Sequence, residues 1–385
     1  MTWRIEIMST VCTVDVGSTR IKAALRDSNG SPISRSETEF PGYNENLELC
    51  KYEELWQATM TLITDTAKGI PFEKLIISCQ MAGFTAIDQD GNPFAPLISG
   101  VDSRVPLRNR PDLTRSGIPK GGPSTYAIFD WLKRSNEKLT EREVRIGGIK
   151  EYLVFRMTGR WCIDPASASS TGFYDVGKKN WSEATLESSQ ISPDQLPEIK
   201  PMNSVLGVAI SDLQDITSSK EPIEVFCGLG DGPAANISVG AIGKGRACLS
   251  KGTTVVARVL DQGIRPDLVD YPHFIQHVID DWYCFGLRFT YDRSSDRYLS
   301  AGDVAQVMSE SELFDYLEGF FSNLGINEIR PVGGRILDLP NSWVIEELGP
   351  DYQDGTKGLA LIAENHSLLN IRDLIDLESG LEGME

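Results

Sequence analysis

Two short segments set an aspartate among small residues: Asp15-Val-Gly-Ser-Thr19 and Gly228-Leu-Gly-Asp231-Gly232. In the first, Asp15 lies near the end of the apolar run Val11–Val16. Small residues after it let backbone amides turn toward a phosphate, and the hydroxyls of Ser18 and Thr19 add donors. A carboxylate at such a strand end can hold a hydrated Mg²⁺, which keeps several waters and bridges phosphates. The plainer alternative is a glycine hairpin with a solvated aspartate. In the second segment, glycines flank Asp231 and the helical stretch Ala234–Val239 follows. The positive end of a helix can orient an anion there. A carboxylate held beside it can accept a hydroxyl proton during phosphoryl transfer. The plainer alternative is a turn whose aspartate caps the helix. Two more turns of small residues follow in order, Lys251-Gly-Thr-Thr254 and Pro331-Val-Gly-Gly334.

Several other chemistries are disfavoured. No GxxxxGK(S/T) occurs, since Gly243-Lys-Gly-Arg246 lacks its spacing, and no GxGxxG follows the first strand, which argues against a Rossmann site. Three histidines in 385 residues, His273, His277 and His366, weigh against hydrolase triads and His-ligated metals. The 7 cysteines are scattered, odd in number and without CxxC spacing. With an N-terminus too mixed in charge for a signal peptide, they predict reduced thiols and a cytoplasmic protein. A net charge of -18 disfavours nucleic acid as a partner. No apolar run approaches the ~20 residues of a membrane span. The expected partner is a small polyhydroxylated molecule, with a homodimer left open.

These turns need elements to position them. Val11–Val16 and Ile21–Leu25 read as a hairpin, followed by a turn at Ser28–Pro32. Glu53–Lys68 has helical spacing through Leu55, Trp56, Met60, Ile63 and Ala67. Leu75–Ser78 and Phe84–Asp88 read as strands, Tyr126–Arg134 and Lys150–Met157 as helices. Glu221–Cys227 reads as a strand leading into the Asp231 turn, and Gly245–Val259 as a second strand–turn–strand unit. Ser311–Asn323 and Leu359–Leu369 complete the set as helices. Tyr271–His277 reads as strand and loop, and Arg104–Arg110 as a solvated surface. At this length two domains are expected, with a boundary within Glu221–Gly230.

Taken in order, the four Gly-rich turns resemble the actin-like ATPase superfamily in its FGGY carbohydrate-kinase branch. The likeness runs through most of residues 11–260. Leu75–Arg104, ending Gly100-Val-Asp-Ser-Arg104, is similar to the family's strand–Gln-Met–strand segment and its W-x-D-x-R close. Thr125–Asn136 resembles an FGGY signature with Ile128 at a usual lysine position. Lys150-Glu-Tyr-Leu153, Thr158-Gly159, Asp164 through Asp175, Trp181-Ser-Glu183 and Leu196-Pro-Glu198 keep the family's order.

The resemblance implies an α/β fold of two actin-like ATPase (ribonuclease H-like) domains with mixed central sheets around an interdomain cleft. They would be an N-terminal domain at 1–225 and a shortened C-terminal one at 226–385. It implies ATP and Mg²⁺ as cofactors and phosphorylation of a hydroxyl on a sugar, polyol or cyclitol-like acceptor. The alternative is a catalytically weak or inactive nucleotide-binding regulator of the same fold. Position by position, Asp231 matches the catalytic base, and Asp15 the residue near Mg²⁺. Gly17, Ser18 and Thr19 match the first phosphate loop, with Lys22 near it, and Gly252, Thr253 and Thr254 the second. Gly333, Gly334 and Asn341 match the adenosine motif. Gln80, Met81, Asp102 and Arg104, with Asp231, match substrate positions. Ala82, Gly100 and Pro165 depart from usual bulkier residues and imply an enlarged or reshaped pocket. The stretch between the second phosphate loop and the adenosine motif is short, about Arg258–Arg330.

Overall fold

A computed structural model describes residues 10–28, 30–41, 51–100, 102, 105, 117–118, 124–217, 221–251, 254–263, 273–292, 294–300, 306–332, 355–365 and 371. Its first sheet runs Val205–Val208, Glu224–Phe226, Lys74–Cys79, Val11–Val16, Arg20–Arg26, Pro32–Glu39, and Leu229–Gly230 continues beside Lys74–Cys79. The three strands starting at Val11, Arg20 and Pro32 form an antiparallel meander. Lys74–Cys79 runs parallel to Val11–Val16 and to Glu224–Phe226. The central strands are mostly apolar because helices cover both faces. On one face Cys12, Val14, Leu75 and Ile77 meet the Lys51–Ala67 helix through Leu55, Met60 and Ile63. On the other, Val11, Ile76 and Leu229 meet Ala234 and Ile237 of helix Asp231–Ser238 and Leu359 and Ile362 of helix Thr356–Glu364. That last helix arrives from far along the chain and is pinned to the sheet by polar contacts. Arg26 Nη2 donates to Thr356 Oγ1 at 2.8 Å, and Lys74 pairs with Glu364 at 3.0 Å.

The second sheet runs Val307–Met308, Arg297–Ser300, Trp282–Asp292, Thr254–Gln262, Arg246–Lys251, Glu328–Val332, with Phe274–Ile279 also paired to Trp282–Asp292. Strand alternation divides its faces. Val255, Ala257, Val259, Phe285, Leu287 and Phe289 pack on Leu313, Leu317, Phe320 and Phe321 of the Glu310–Asn323 helix. Leu260, Val278 and Cys284 face the other way and join the cluster around helix Asp231–Ser238. This helix therefore lies between the two sheets, with its first residue, Asp231, at the site described below. A third, three-stranded sheet, Pro93–Ile98, Phe84–Ile87 and Arg145–Gly147, packs on the Thr125–Lys133 helix.

The expected hairpins and helices are present, with shifted ends. Helix Asp231–Ser238 begins three residues before the expected Ala234. The C-terminal helix is Thr356–Glu364 rather than Leu359–Leu369, of which 366–370 lie outside the described residues. The expected strand and loop at Tyr271–His277 is a strand at Phe274–Ile279 paired with an 11-residue strand, Trp282–Asp292.

Candidate active site

Strand register brings the two aspartate motifs to one end of the first sheet. In the parallel pair, Asp15 lies beside Ser78 and Val16 beside Cys79. On the other side of the same strand, Leu229 lies beside Ser78 and Gly230 beside Cys79. Asp15 and Leu229, two residues before Asp231, are thus two strand spacings apart, roughly 10 Å. Ser78 Oγ donates to Asp15 Oδ1 at 2.6 Å, fixing that carboxylate. Lys22 lies directly opposite Asp15 in the hairpin. The Gly17 N–H donates to the Arg20 carbonyl at 2.9 Å, which closes the turn with half-buried Ser18 and exposed Thr19 at its tip.

The Asp231 turn depends on glycine twice. Gly228 has φ +76°, and a Cβ there would overlap the Ile77 carbonyl. Gly230 lies against the Met81 thioether, where a Cβ would overlap sulfur. Gly230 also holds the N-cap position, with φ −62° and ψ 146°, and the helix begins at Asp231. Asp231 is thus the first residue of the helix rather than its N-cap, and its carboxylate accepts from the Gly232 N–H in the first turn. That carboxyl is half-buried. Loss of hydration raises its pKa above the ordinary carboxylate value, against the opposing pull of Arg258, the Gly232 N–H and Arg288.

Gln80 and Met81 connect the two motifs. The Gln80 N–H donates to the Val16 carbonyl at 2.8 Å, its Nε2 to the Gly17 carbonyl at 3.3 Å, and Ser99 Oγ donates to its Oε1. Met81 lies beside both Gly230 and Gly232. Behind them is a small cavity whose lining includes Gln80, Met81, Ala82, Lys150, Ser170 and Thr171. Ala82 adopts a left-handed φ of +63°, rare for a residue with a side chain, and its N–H donates to Ser170 Oγ at 3.1 Å. Asp102 is half-buried beyond Ser99, to whose carbonyl its N–H donates at 3.1 Å.

At one of the three expected pocket-enlarging positions, Gly100, the space is already filled. A Cβ at Gly100 would lie 2.7 Å from the Met81 carbonyl oxygen, so backbone already fills that space. Pro165 is buried as the first residue of helix Pro165–Ser169, where proline is favoured. Asp164 caps that helix by accepting from the Ser167 N–H at 2.9 Å.

Three charged side chains beside the cavity are almost fully enclosed: Lys150 and Glu151 are 2% exposed and Asp164 0%. Lys150 Nζ lies 2.9 Å from Glu151 Oε1 and 3.2 Å from Asp164 Oδ1, and donates to the Cys227 carbonyl at 3.0 Å. Burial opposes its charge, but the two carboxylates outweigh burial and raise its pKa. The ammonium ties two helix starts to the residue preceding Gly228.

Thr254 opens its strand opposite Thr290 and is half-buried. Gly252, Thr253, Gly333, Gly334, Asn341 and Arg104 lie outside the described residues. The strands Arg246–Lys251 and Glu328–Val332, which precede the 252–253 and 333–334 motifs in the chain, are parallel neighbours with Ser250 beside Val332. Arg258 and Arg288 were not singled out from the sequence. Isolated arginines in apolar strands carry no motif, and only the strand register shows that they share Asp231.

The two-sheet α/β frame is that of the actin-like ATPases. Solved structures of a ligand-bound xylulose kinase and of a gluconate kinase, both from Lactobacillus acidophilus, match it with a TM-score of 0.79 at 18% identity. Each match covers 97% of this chain and 92% of the other. The model of the N-terminal domain of the FGGY family of carbohydrate kinases matches residues 10–238, and the chain belongs to that family. A gluconokinase of Bacillus subtilis is 25% identical over 262 residues, 64% of this chain and 51% of its own length. A xylulose kinase of Lactococcus lactis is 25% identical over 382 residues, 91% of this chain and 70% of its own. The chain spans 51% to 59% of the length of the first three curated relatives it matches.

Proposed function

We propose that this protein transfers the γ-phosphoryl group of ATP to a hydroxyl of a sugar, polyol or cyclitol-like acceptor. The observation that carries this reading is the register that brings the Asp15 strand and the Leu229–Gly230 strand just before Asp231 to the same end of one sheet. Asp231 accepts the acceptor's proton as its oxygen attacks phosphorus, and its raised pKa makes it a stronger proton acceptor than an ordinary carboxylate. Gly17, Ser18, Thr19 and Lys22 hold phosphate on one side, and Gly252, Thr253 and Thr254 on the other. Gly333, Gly334 and Asn341 receive the adenosine. Gln80, Met81, Asp102 and Arg104 orient the acceptor. Catalysis by such a site is mostly positioning and electrostatics.

Among the described residues no cluster of three or more His, Cys, Asp or Glu could cage a metal. A single carboxylate steadied by Ser78 fits Mg²⁺ held through water and phosphate oxygens. When bound, that ion would neutralise phosphate charge. The proposed domains are 1–225 and 226–385, with helix Thr356–Glu364 returning to the first sheet. No helix among the described residues is long and apolar enough to cross a membrane. We place the protein in the cytoplasm, acting on a small molecule.

The alternative reading is a catalytically weak or inactive nucleotide-binding regulator of the same fold. A coupled assay for ADP release from Mg-ATP, run with and without a panel of polyhydroxylated acceptors, separates the two. The kinase reading requires release that depends on acceptor. Nucleotide binding by calorimetry without acceptor-dependent release supports the regulator.

A further inference from the structure

Among the described residues, Arg258 and Arg288 make a pair without a matching pair of carboxylates. Arg258 lies opposite Gly286, and Arg288 is two residues further along the same strand, opposite Val256. Both side chains therefore leave the same sheet face as diagonal neighbours. That face meets the start of helix Asp231–Ser238: a Cβ on Gly232 would lie 3.1 Å from Arg258 Nε. Both arginines are half-buried. Among the described residues the Arg288 guanidinium makes no hydrogen bond or ion pair, and Arg258 reaches only the Cys248 sulfur at 3.9 Å. The carboxylate in electrostatic reach of both is Asp231. Counted over the described residues, two positive charges stand against one negative beside the proposed base, in a place where unpaired charge is costly.

Resting on the kinase reading, we propose that Arg258 and Arg288 seat a carboxylate of the acceptor, which is therefore a polyhydroxy acid rather than a neutral polyol. The guanidinium fork matches a carboxylate in bidentate geometry. One carboxylate brings the cluster to neutrality, whereas a phosphate ester would overshoot it. The pair acts as a specificity determinant: it draws the acid group to one side of Asp231 and turns a hydroxyl toward it.

The test is calorimetric titration of the full chain, with Mg²⁺ and a non-hydrolysable ATP analogue present, by three ligand sets. These are aldonates, the alditols obtained by reducing them, and sugar phosphates. Steady-state kinetics with Mg-ATP run beside it, and thermal melts confirm folding of each variant. Aldonates should bind and alditols should not. Arg258→Met and Arg288→Met should each weaken aldonate binding about 10- to 100-fold and leave the KM for ATP unchanged. Alditols or sugar phosphates binding as tightly as aldonates overturns the inference, as does the absence of binding by any aldonate. So do variants that raise the KM for ATP and spare aldonate binding, because the arginines would then serve the nucleotide. Arginine-dependent aldonate binding without ADP release from any acceptor would remove the kinase reading and leave the anion seat standing.

Discussion

Replacing Asp231 by asparagine should separate activity from stability in opposite directions. The side chain keeps its shape and loses its proton acceptor. Loss of a general base typically costs about 10²–10⁴ in rate, or about 2.7–5.4 kcal/mol of barrier at 1.36 kcal/mol per factor of ten. The helix end survives, because Gly230 makes the cap. Burial is the largest influence on this carboxyl and raises its pKa above the ordinary 3.8 despite Arg258, the Gly232 N–H and Arg288. With a folded pKa above the unfolded one, the native chain holds a proton that the unfolded chain has released. Stability then falls as pH climbs from the unfolded to the folded pKa, and the deficit is complete above the folded pKa. Asparagine carries no such penalty. It gives up the attraction of a charge to the helix N-terminus, about 0.3–1 kcal/mol, and to two arginines, but the net upward shift says that burial outweighs these. Asp231→Asn should therefore melt higher than the native protein at neutral pH, with the gap closing as pH falls through the folded pKa. Turnover measured beside melts across acidic to neutral pH checks both halves. Unchanged turnover refutes the base, and a lower melting temperature at neutral pH refutes the burial argument.

Three further outcomes follow from other contacts. Asp15→Asn should raise the Mg²⁺ concentration for half-maximal activity, with a defect that eases as Mg²⁺ is increased; Ser78→Ala, removing the 2.6 Å hydrogen bond to Asp15, should shift the same titration less. Gly159 and Gly228 share a left-handed φ, +71° and +76°, but only Gly228 faces backbone where a Cβ would go. Gly159→Ala should cost about 1–2 kcal/mol in urea unfolding, and Gly228→Ala clearly more. Lys150→Met leaves Glu151 and Asp164 buried without their cation, and should lower stability by about 3–5 kcal/mol in the same measurement.

Much of the first sheet was legible because its signals are local. The Val11–Val16 run, the Gly17 turn and the helical spacing of Leu55, Trp56, Met60 and Ile63 each declare themselves within a few residues. Pro32–Glu39 did not, because it is a polar edge strand with alternate residues exposed. The Trp282–Asp292 strand was also missed, since its residues read as a strand only once Thr254–Gln262 and Phe274–Ile279 pair with it. Asp15, Gln80, Met81 and Asp231 were singled out from short motifs, and the register brings them to one place. The Ser78 contact, the enclosed Lys150 network and the arginine pair depend on strand neighbours remote in sequence. The Gly100 reading failed for the same reason: the sequence shows a missing side chain, while the structure shows backbone in its place.

The most direct test of the central claim is phosphorus NMR of the protein with Mg-ATP and an acceptor panel of polyhydroxy acids and neutral polyols. The account predicts a phosphomonoester resonance that grows in step with ADP only when a suitable acceptor is present, and that is lost in Asp231→Asn. Conversion of ATP to ADP and inorganic phosphate at the same rate with or without acceptor would contradict it, as would ATP left unconsumed with every acceptor.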